Sequence, residues 1–261
     1  MYDKNVIEAW RNTDLSREPY CLNEDIKQMN QSDHYEDIFS YEDLVKRLGE
    51  VKRAPQKVHL NLLPIPYIGN IEKAKVIILS ANPGLGATDY KIDDEDDSYR
   101  KILMNNLKQE SFDDFPFFCL NPQYAWHGGF DYWEPRFWPI IVQLIEKKSL
   151  NYYGALREIS NLIAVIEYIP YHSISSPVFR GLESTRMMKE YVHKVLLSRA
   201  RNGQIDIIVT RKAKEWGLSN EKHVIVYSSG QARSASLGIE SDGGKRILKY
   251  FGICKEICVS L

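Results

Sequence analysis

Long hydrophobic runs are missing from this 261-residue chain. No apolar stretch approaches the roughly 20 residues that a membrane-spanning helix needs, so an integral α-helical membrane protein is excluded. Cysteine is scarce: Cys21, Cys119, Cys254 and Cys258 are dispersed along the sequence. A disulfide framework of the kind that braces small secreted domains is therefore not expected, and the thiols should be reduced. Cys254 and Cys258 stand one helical turn apart, but no Cys/His pair lies near enough in sequence to complete a zinc site, and no metal is expected. Charge of one sign is lacking as well, with 34 Lys and Arg against 35 Asp and Glu. Strong nonspecific DNA binders carry a basic excess, so any DNA contact here must come from a local patch. Gly84-Leu85-Gly86 is followed by no Gly-Lys-Ser/Thr, which excludes a P-loop. The opening residues Met1-Tyr2-Asp3-Lys4-Asn5 do not have a signal-peptide pattern, and a cytoplasmic location is expected.

What is present is ample apolar and aromatic material, 44% and 11% of the residues, enough for one sizeable packed domain with an extension. Residues 1–58 read as a polar, helical accessory region, with a clear helix over 41–48. Pro55, Pro64 and Pro66 break the chain, and residues 59–261 read as the main domain. There, short apolar strands are expected at 75–80, 162–168, 205–209 and 223–227. Helices are expected near 99–108, 136–147, 151–159 and 184–201, with another starting near 242. Apolar strands separated by helices imply an α/β three-layer sandwich, with a central, mostly parallel four-stranded sheet covered on both faces.

Two motifs sit at expected strand ends. Ser80-Ala81-Asn82-Pro83-Gly84 follows Lys75-Val76-Ile77-Ile78-Leu79, and Tyr227-Ser228-Ser229-Gly230-Gln231-Ala232-Arg233 follows His223-Val224-Ile225-Val226. In open α/β sheets, loops at the carboxyl ends of strands build the ligand site. Taken alone, Asn-Pro-Gly also fits a plain strand-to-loop turn, and the second motif a polar loop with an exposed arginine.

Together the motifs resemble the uracil-DNA glycosylase superfamily, most closely its thymine/mismatch-specific branch, which reads roughly GINPG and then MPSSSAR. The resemblance spans about residues 60–252. It implies a uracil-DNA glycosylase-like fold and a monofunctional DNA glycosylase that flips a nucleotide out of the stack and hydrolyses its base–sugar bond. No cofactor is implied, and the cysteine spacing does not match the iron–sulfur members. The expected partner is DNA and the expected state a monomer. Asn82 would hold the attacking water through its carbonyl. Ala81, Pro83 and Gly84 would bring the backbone to the base or sugar. Ser228, Ser229, Gly230 and Gln231 would meet the phosphate backbone, and Arg233 would enter the gap left by flipping. The family's proline before the serines is replaced by Ser228.

A third position departs from the family. Matching Val165-Ile166-Glu167-Tyr168-Ile169-Pro170-Tyr171-His172 to its second strand puts Glu167 where the uracil-reading Asn stands. A carboxylate repels uracil's carbonyls but accepts from cytosine's amino group. If protonated by burial, it could also donate to the ring nitrogen of cytosine and help that base depart. The alternative is an ordinary ion pair. In the aromatic stretch 115–127, Phe118, then Phe117, is the expected stacking partner for the base, although much of that stretch also suits a core. His172 could contact a base substituent, or serve structurally. The acidic run 93–97 reads as a solvated face. Arg199, Arg201, Arg211, Lys212, Lys214, Lys245 and Arg246 could form a phosphate-facing patch. The substrate expected is a modified cytosine, because the chain is similar to phage-defence glycosylases that excise glucosylated hydroxymethylcytosine. A uracil or mismatched-thymine repair enzyme, and a non-catalytic DNA-binding module on the same fold, are the alternatives.

Overall fold

The computed structural model describes residues 6–29, 31–95, 97–177, 179 and 181–253. Its strands are β1 (Tyr35–Glu36), β2 (Val58–His59), β3 (Tyr67–Ile68), β4 (Val76–Leu79), β5 (Ile163–Ile166), β6 (Asp206–Val209) and β7 (Val224–Val226). β1 and β2 form a small parallel pair, and the other five form one sheet in the order β3-β5-β4-β6-β7. The four expected strands are its parallel part. The central sheet has five strands rather than four, because Tyr67–Ile68 adds an antiparallel edge against Ile166 and Val165. Two residues between proline-rich segments carry no readable alternation, which is why the pattern did not reveal them.

Residues on β4, β5 and β6 are buried on both faces. Alternate side chains enter two separate cores, as a period of two requires. Ile77, Leu79, Ile166 and Ile207 join one cluster, while Val76, Ile78, Val165 and Ile208 join the other. The first cluster also takes Val6, Ile7 and Trp10 of α1 (Val6–Arg11). The short α2 (Asn23–Ile26) and α3 (Gln31–His34) follow. Next comes α4 (Tyr41–Arg53), whose N-cap Ser40 accepts from Asp43 N.

After β4 come α5 (Ala87–Glu95) and α6 (Asp97–Lys108). Then α7 (Gly128–Lys148) begins eight residues earlier than the expected start at 136 and runs through Pro135 and Pro139. Its apolar stripe, Trp133, Phe137, Ile140, Ile141 and Leu144, is buried, so packing outweighs the two missing N–H donors. α8 (Tyr152–Leu162) leads into β5. α9 (Glu183–Tyr191) continues through a π-helical turn, Val192–Leu196, into α10 (Leu197–Arg201). α11 (Ala213–Trp216), α12 (Ser229–Ser234) and α13 (Asp242–Tyr250) complete the layers.

The chain leaves β4 toward β5 on one side and returns to β6 on the other. The connections therefore diverge at the carboxyl ends of β4 and β6, the kind of crevice in which doubly wound sheets bind ligands. No helix among the described residues is long and apolar enough to cross a membrane.

Candidate functional site

Asn82, Glu167 and the second motif all lie on the carboxyl edge of the sheet. The loops after β4 and β5 are zipped together, Ser80 N donating to Ile166 O and Ile169 N to Ala81 O, each at 2.9 Å. Trp216 Nε1 donates to Ser80 O at 3.1 Å from the β6 side. Ala81 is buried, Pro83 is half-buried, and Gly84 takes φ +80°, a conformation that favours glycine.

Asn82 is half-buried. Its Nδ2 donates to Ser173 O at 3.0 Å and Ser173 Oγ at 2.9 Å. A backbone carbonyl can only accept, so this contact fixes which end of the amide is which. The Asn82 carbonyl oxygen is the atom left to hold a water. Ser173 N in turn donates to Gly84 O, and His172 Nδ1 donates to the same oxygen at 3.0 Å. His172 is thereby tied to the Asn-Pro-Gly loop, and a neutral ring presents Nε2 as an acceptor.

Glu167 lies just past β5 and is 3% exposed. Its backbone N–H donates to Pro66 O, while its Oε2 has no hydrogen-bond partner among the described residues. Burial pushes its pKa up to about 8, against the opposing pull of the Ser80 hydroxyl and the Ala81 N–H. Among the described residues no cation pairs with it, as an ordinary ion pair would require. The Cys119 thiol nearby is held well above its ordinary pKa, mainly by burial, then by Asp89 and least by Glu167.

A second polar group was not evident from sequence. Asp89 accepts from Gly86 N at 2.6 Å, and its Oδ1 lies 3.1 Å from His127 Nε2. His127 Nδ1 accepts from Gly129 N at the start of α7, so Nε2 carries the hydrogen and donates to Asp89. Burial opposes the Asp89 charge. The His127 N–H, the imidazole of His172 and the Gly86 N–H outweigh it and hold the pKa below the usual value. A cavity of about 20 Å³ is lined by Asp89, His172, Tyr99, Arg100 and apolar neighbours, room for a single water. The available signal was the Gly86-to-Asp89 spacing, the N-cap and N3 positions of a helix start.

The other expected site residues are placed as follows. Phe118 is buried, with its ring edge against Tyr99 at 5.9 Å, and Phe117 packs on Trp133 and Phe137. The solvent-facing aromatic of that stretch is Trp126, 49% exposed. The second motif is a helix start rather than a loop. Ser228 N-caps α12 and forms a capping box with Gln231, and Gln231 Nε2 also reaches Asp242. Those two side chains hold the turn. Ser229, Gly230 and Arg233 are exposed, and Arg211 clamps the turn by donating to Ala232 O and Arg233 O. β7 is two strands from β4, so this turn lies about 10 Å across the edge from the Asn82 loop.

The basic residues do not form one patch. Arg199 donates to Ile71 O and Glu72 O, Arg201 pairs with Glu221, and Arg246 pairs with Asp206, the first residue of β6. Arg199 and Arg246 are thus held at the amino end of the sheet, away from Asn82. Arg211 and Lys212 lie at the carboxyl end, Lys212 beside Glu215 at 3.7 Å. Cys254 and Cys258, and part of the acidic run, lie outside the described residues.

Comparison with protein-family models, with curated proteins and with solved structures gave no match.

Proposed function

We propose that the chain is a monofunctional DNA glycosylase that flips out and hydrolytically removes a modified cytosine, glucosylated hydroxymethylcytosine of phage DNA being the first substrate to try. The observation that carries this reading is the buried Glu167 carboxyl with an unpartnered oxygen, one strand away from the fixed amide of Asn82. With its pKa raised to about 8, the carboxyl is mostly neutral at pH 7. It then offers one O–H donor and one acceptor. Cytosine's ring nitrogen and amino group are the complementary pair. Proton donation to the ring nitrogen lets the base depart neutral, while the Asn82 carbonyl holds water against the sugar carbon that develops positive charge. The exposed turn from Ser229 to Arg233, across the edge, suits the DNA backbone and the gap in the duplex.

A neutral carboxyl can also pair with the O4 and N3–H of uracil, which favours uracil or thymine excision as the second reading. The test is incubation with duplexes carrying uracil, mismatched thymine, cytosine, hydroxymethylcytosine and its glucosylated form, followed by alkaline cleavage of abasic sites. Release of cytosine derivatives supports the first reading, and release of uracil or thymine the second. DNA binding without any abasic product would leave a non-catalytic module.

A further inference from the structure

Ser80 and Glu167 stand side by side at the carboxyl edge of the sheet. Leu79 of β4 pairs in parallel register with Ile166 of β5, so Ser80 and Glu167 are the next residues on the two chains. The pairing carries on past the strands: Ser80 N donates to Ile166 O and Glu167 N to Pro66 O, each at 2.9 Å. Neighbouring extended chains lie about 4.8 Å apart, and residues in register point to the same face. Leu79 and Ile166 enter one core cluster. Ser80 and Glu167 therefore turn to the other, the side of Val165, Phe118 and Cys119.

The Ser80 backbone is held at both its polar groups, since its oxygen also accepts from Trp216 Nε1 at 3.1 Å. What remains free to turn is a short side chain ending in a hydroxyl. That hydroxyl and the Ala81 N–H act on the Glu167 carboxyl, while Oε2 has no hydrogen-bond partner among the described residues. The two donors thus share the other oxygen, Oε1. In a neutral carboxyl the oxygen that receives two donors is the carbonyl oxygen, because the protonated one is the weaker acceptor. Among the described residues no charged side chain acts on the carboxyl, and burial keeps the nearby Cys119 thiol neutral. The choice of oxygen is left to Ser80 and Ala81.

We infer that Ser80 is a positioning residue for Glu167: with the Ala81 N–H it holds Oε1 as the acceptor and so places the carboxyl proton on Oε2, the oxygen from which a departing base takes it. The last clause rests on the glycosylase reading above. The hydroxyl can rotate, so it can yield its place on Oε1 to the amino group of an arriving cytosine. The backbone N–H of Ala81 cannot, and it keeps the proton on Oε2 throughout.

The test reads the carboxyl itself. Protein labelled with carbon-13 at the glutamate carboxyl carbon is titrated by NMR as wild type, Ser80→Ala and Ser80→Thr, the Glu167 signal being identified by its loss in Glu167→Gln. Wild type should titrate at about 8. A hydroxyl that donates to Oε1 stabilises the ionised form, so Ser80→Ala should titrate about one pH unit higher, or about tenfold in the proton equilibrium. Ser80→Thr keeps the hydroxyl and should titrate with wild type. An unchanged or lower value in Ser80→Ala overturns the assignment, since a hydroxyl that accepted from the carboxyl would stabilise the neutral form. A threonine variant that shifts as far as the alanine one overturns it too. The second measurement is the pH profile of kcat/KM for removal of a cytosine derivative, which reports the free enzyme. Its alkaline limb should move up by about the same unit in Ser80→Ala. A limb that stays in place while the carboxyl shifts takes Glu167, and Ser80 with it, out of the reaction. An upward shift in a protein that releases no base overturns the glycosylase reading and leaves the placement of the proton standing.

Discussion

The Asn82 amide nitrogen sits 3.0 Å from the Ser173 carbonyl oxygen, and that contact orients the side chain. An asparagine on a loop is free to turn either end outward. Here the donor end is held inward by a group that cannot donate, so the acceptor end remains for water. Asn82→Ala should reduce base release by about 100-fold or more, the scale seen when one positioned polar group is removed from a reacting centre. DNA affinity and thermal stability should change little, because the side chain is half-buried and its loop is also held by Ser80, Ala81 and Gly84 backbone bonds. Single-turnover excision within tenfold of wild type would remove Asn82 from the chemistry.

Arg233 is exposed on the turn that Arg211 clamps. A flipped nucleotide leaves a gap only in a duplex. Arg233→Ala should therefore lower excision from duplex DNA by about tenfold, the size of one lost charge-assisted contact, and from single strands by much less. Both substrates must be compared at one salt concentration. Equal losses would reduce Arg233 to a phosphate contact.

Asp89→Asn tests the link between the Asn-Pro-Gly loop and α7. An asparagine keeps an acceptor for Gly86 N–H but turns an amide N–H₂ toward His127 Nε2–H, donor against donor. Relief by the other imidazole tautomer would break the cap on Gly129. The expected cost is about 1–3 kcal/mol, read as a shift in urea midpoint without a change in slope. Excision should fall with it if the loop carries the water-holding residue. Full stability in Asp89→Asn would show that the His127 contact contributes nothing.

The parallel strands and the position of Asn82 were legible because buried strands are short runs of β-branched residues with turn residues after them. Glu167 was legible as a position, but the burial of its carboxyl against Ser80 and Ala81, with Oε2 left over, was not, since that depends on what the β3 and β4 ends bring against it. The antiparallel edge at Tyr67–Ile68 was hidden by length. The second motif was mistaken for a loop because Ser228 and Gln231, read as DNA-facing polar groups, are spaced as a capping box. Asp89 was overlooked because sequence neighbours drew attention to the acidic run, whereas its partners His127 and His172 are distant in the chain and adjacent in space. Lone arginines were equally unreadable: Arg199 and Arg246 turn out to be occupied at the far end of the sheet.

The Glu167 carboxyl makes a prediction about stability as well as rate. Its pKa is about 8 in the folded chain, raised mainly by burial, and about 4.3 when unfolded. Below the lower value both states are protonated and the neutral carboxyl costs nothing. Between the two, the unfolded chain releases the proton and the folded chain keeps it, so stability falls as pH rises, by at most about 1.4 kcal/mol per pH unit. Above about 8 the loss is complete. His59 acts in the opposite sense, since burial lowers its pKa to about 4 and stability rises as pH climbs from there toward its ordinary value. The wild-type curve therefore mixes the two, and the difference between wild type and Glu167→Gln isolates the carboxyl. That difference, from urea unfolding at pH 5 to 8, should move steadily in favour of the Gln variant. In the same range the variant should bind a cytosine-derived substrate but excise it about 100-fold more slowly, because Gln cannot protonate the ring nitrogen. Wild-type excision should decline above pH 8, with no such inflection in the variant. A stability difference independent of pH would mean that Glu167 is ionised in the fold, and the acid role would fall with it.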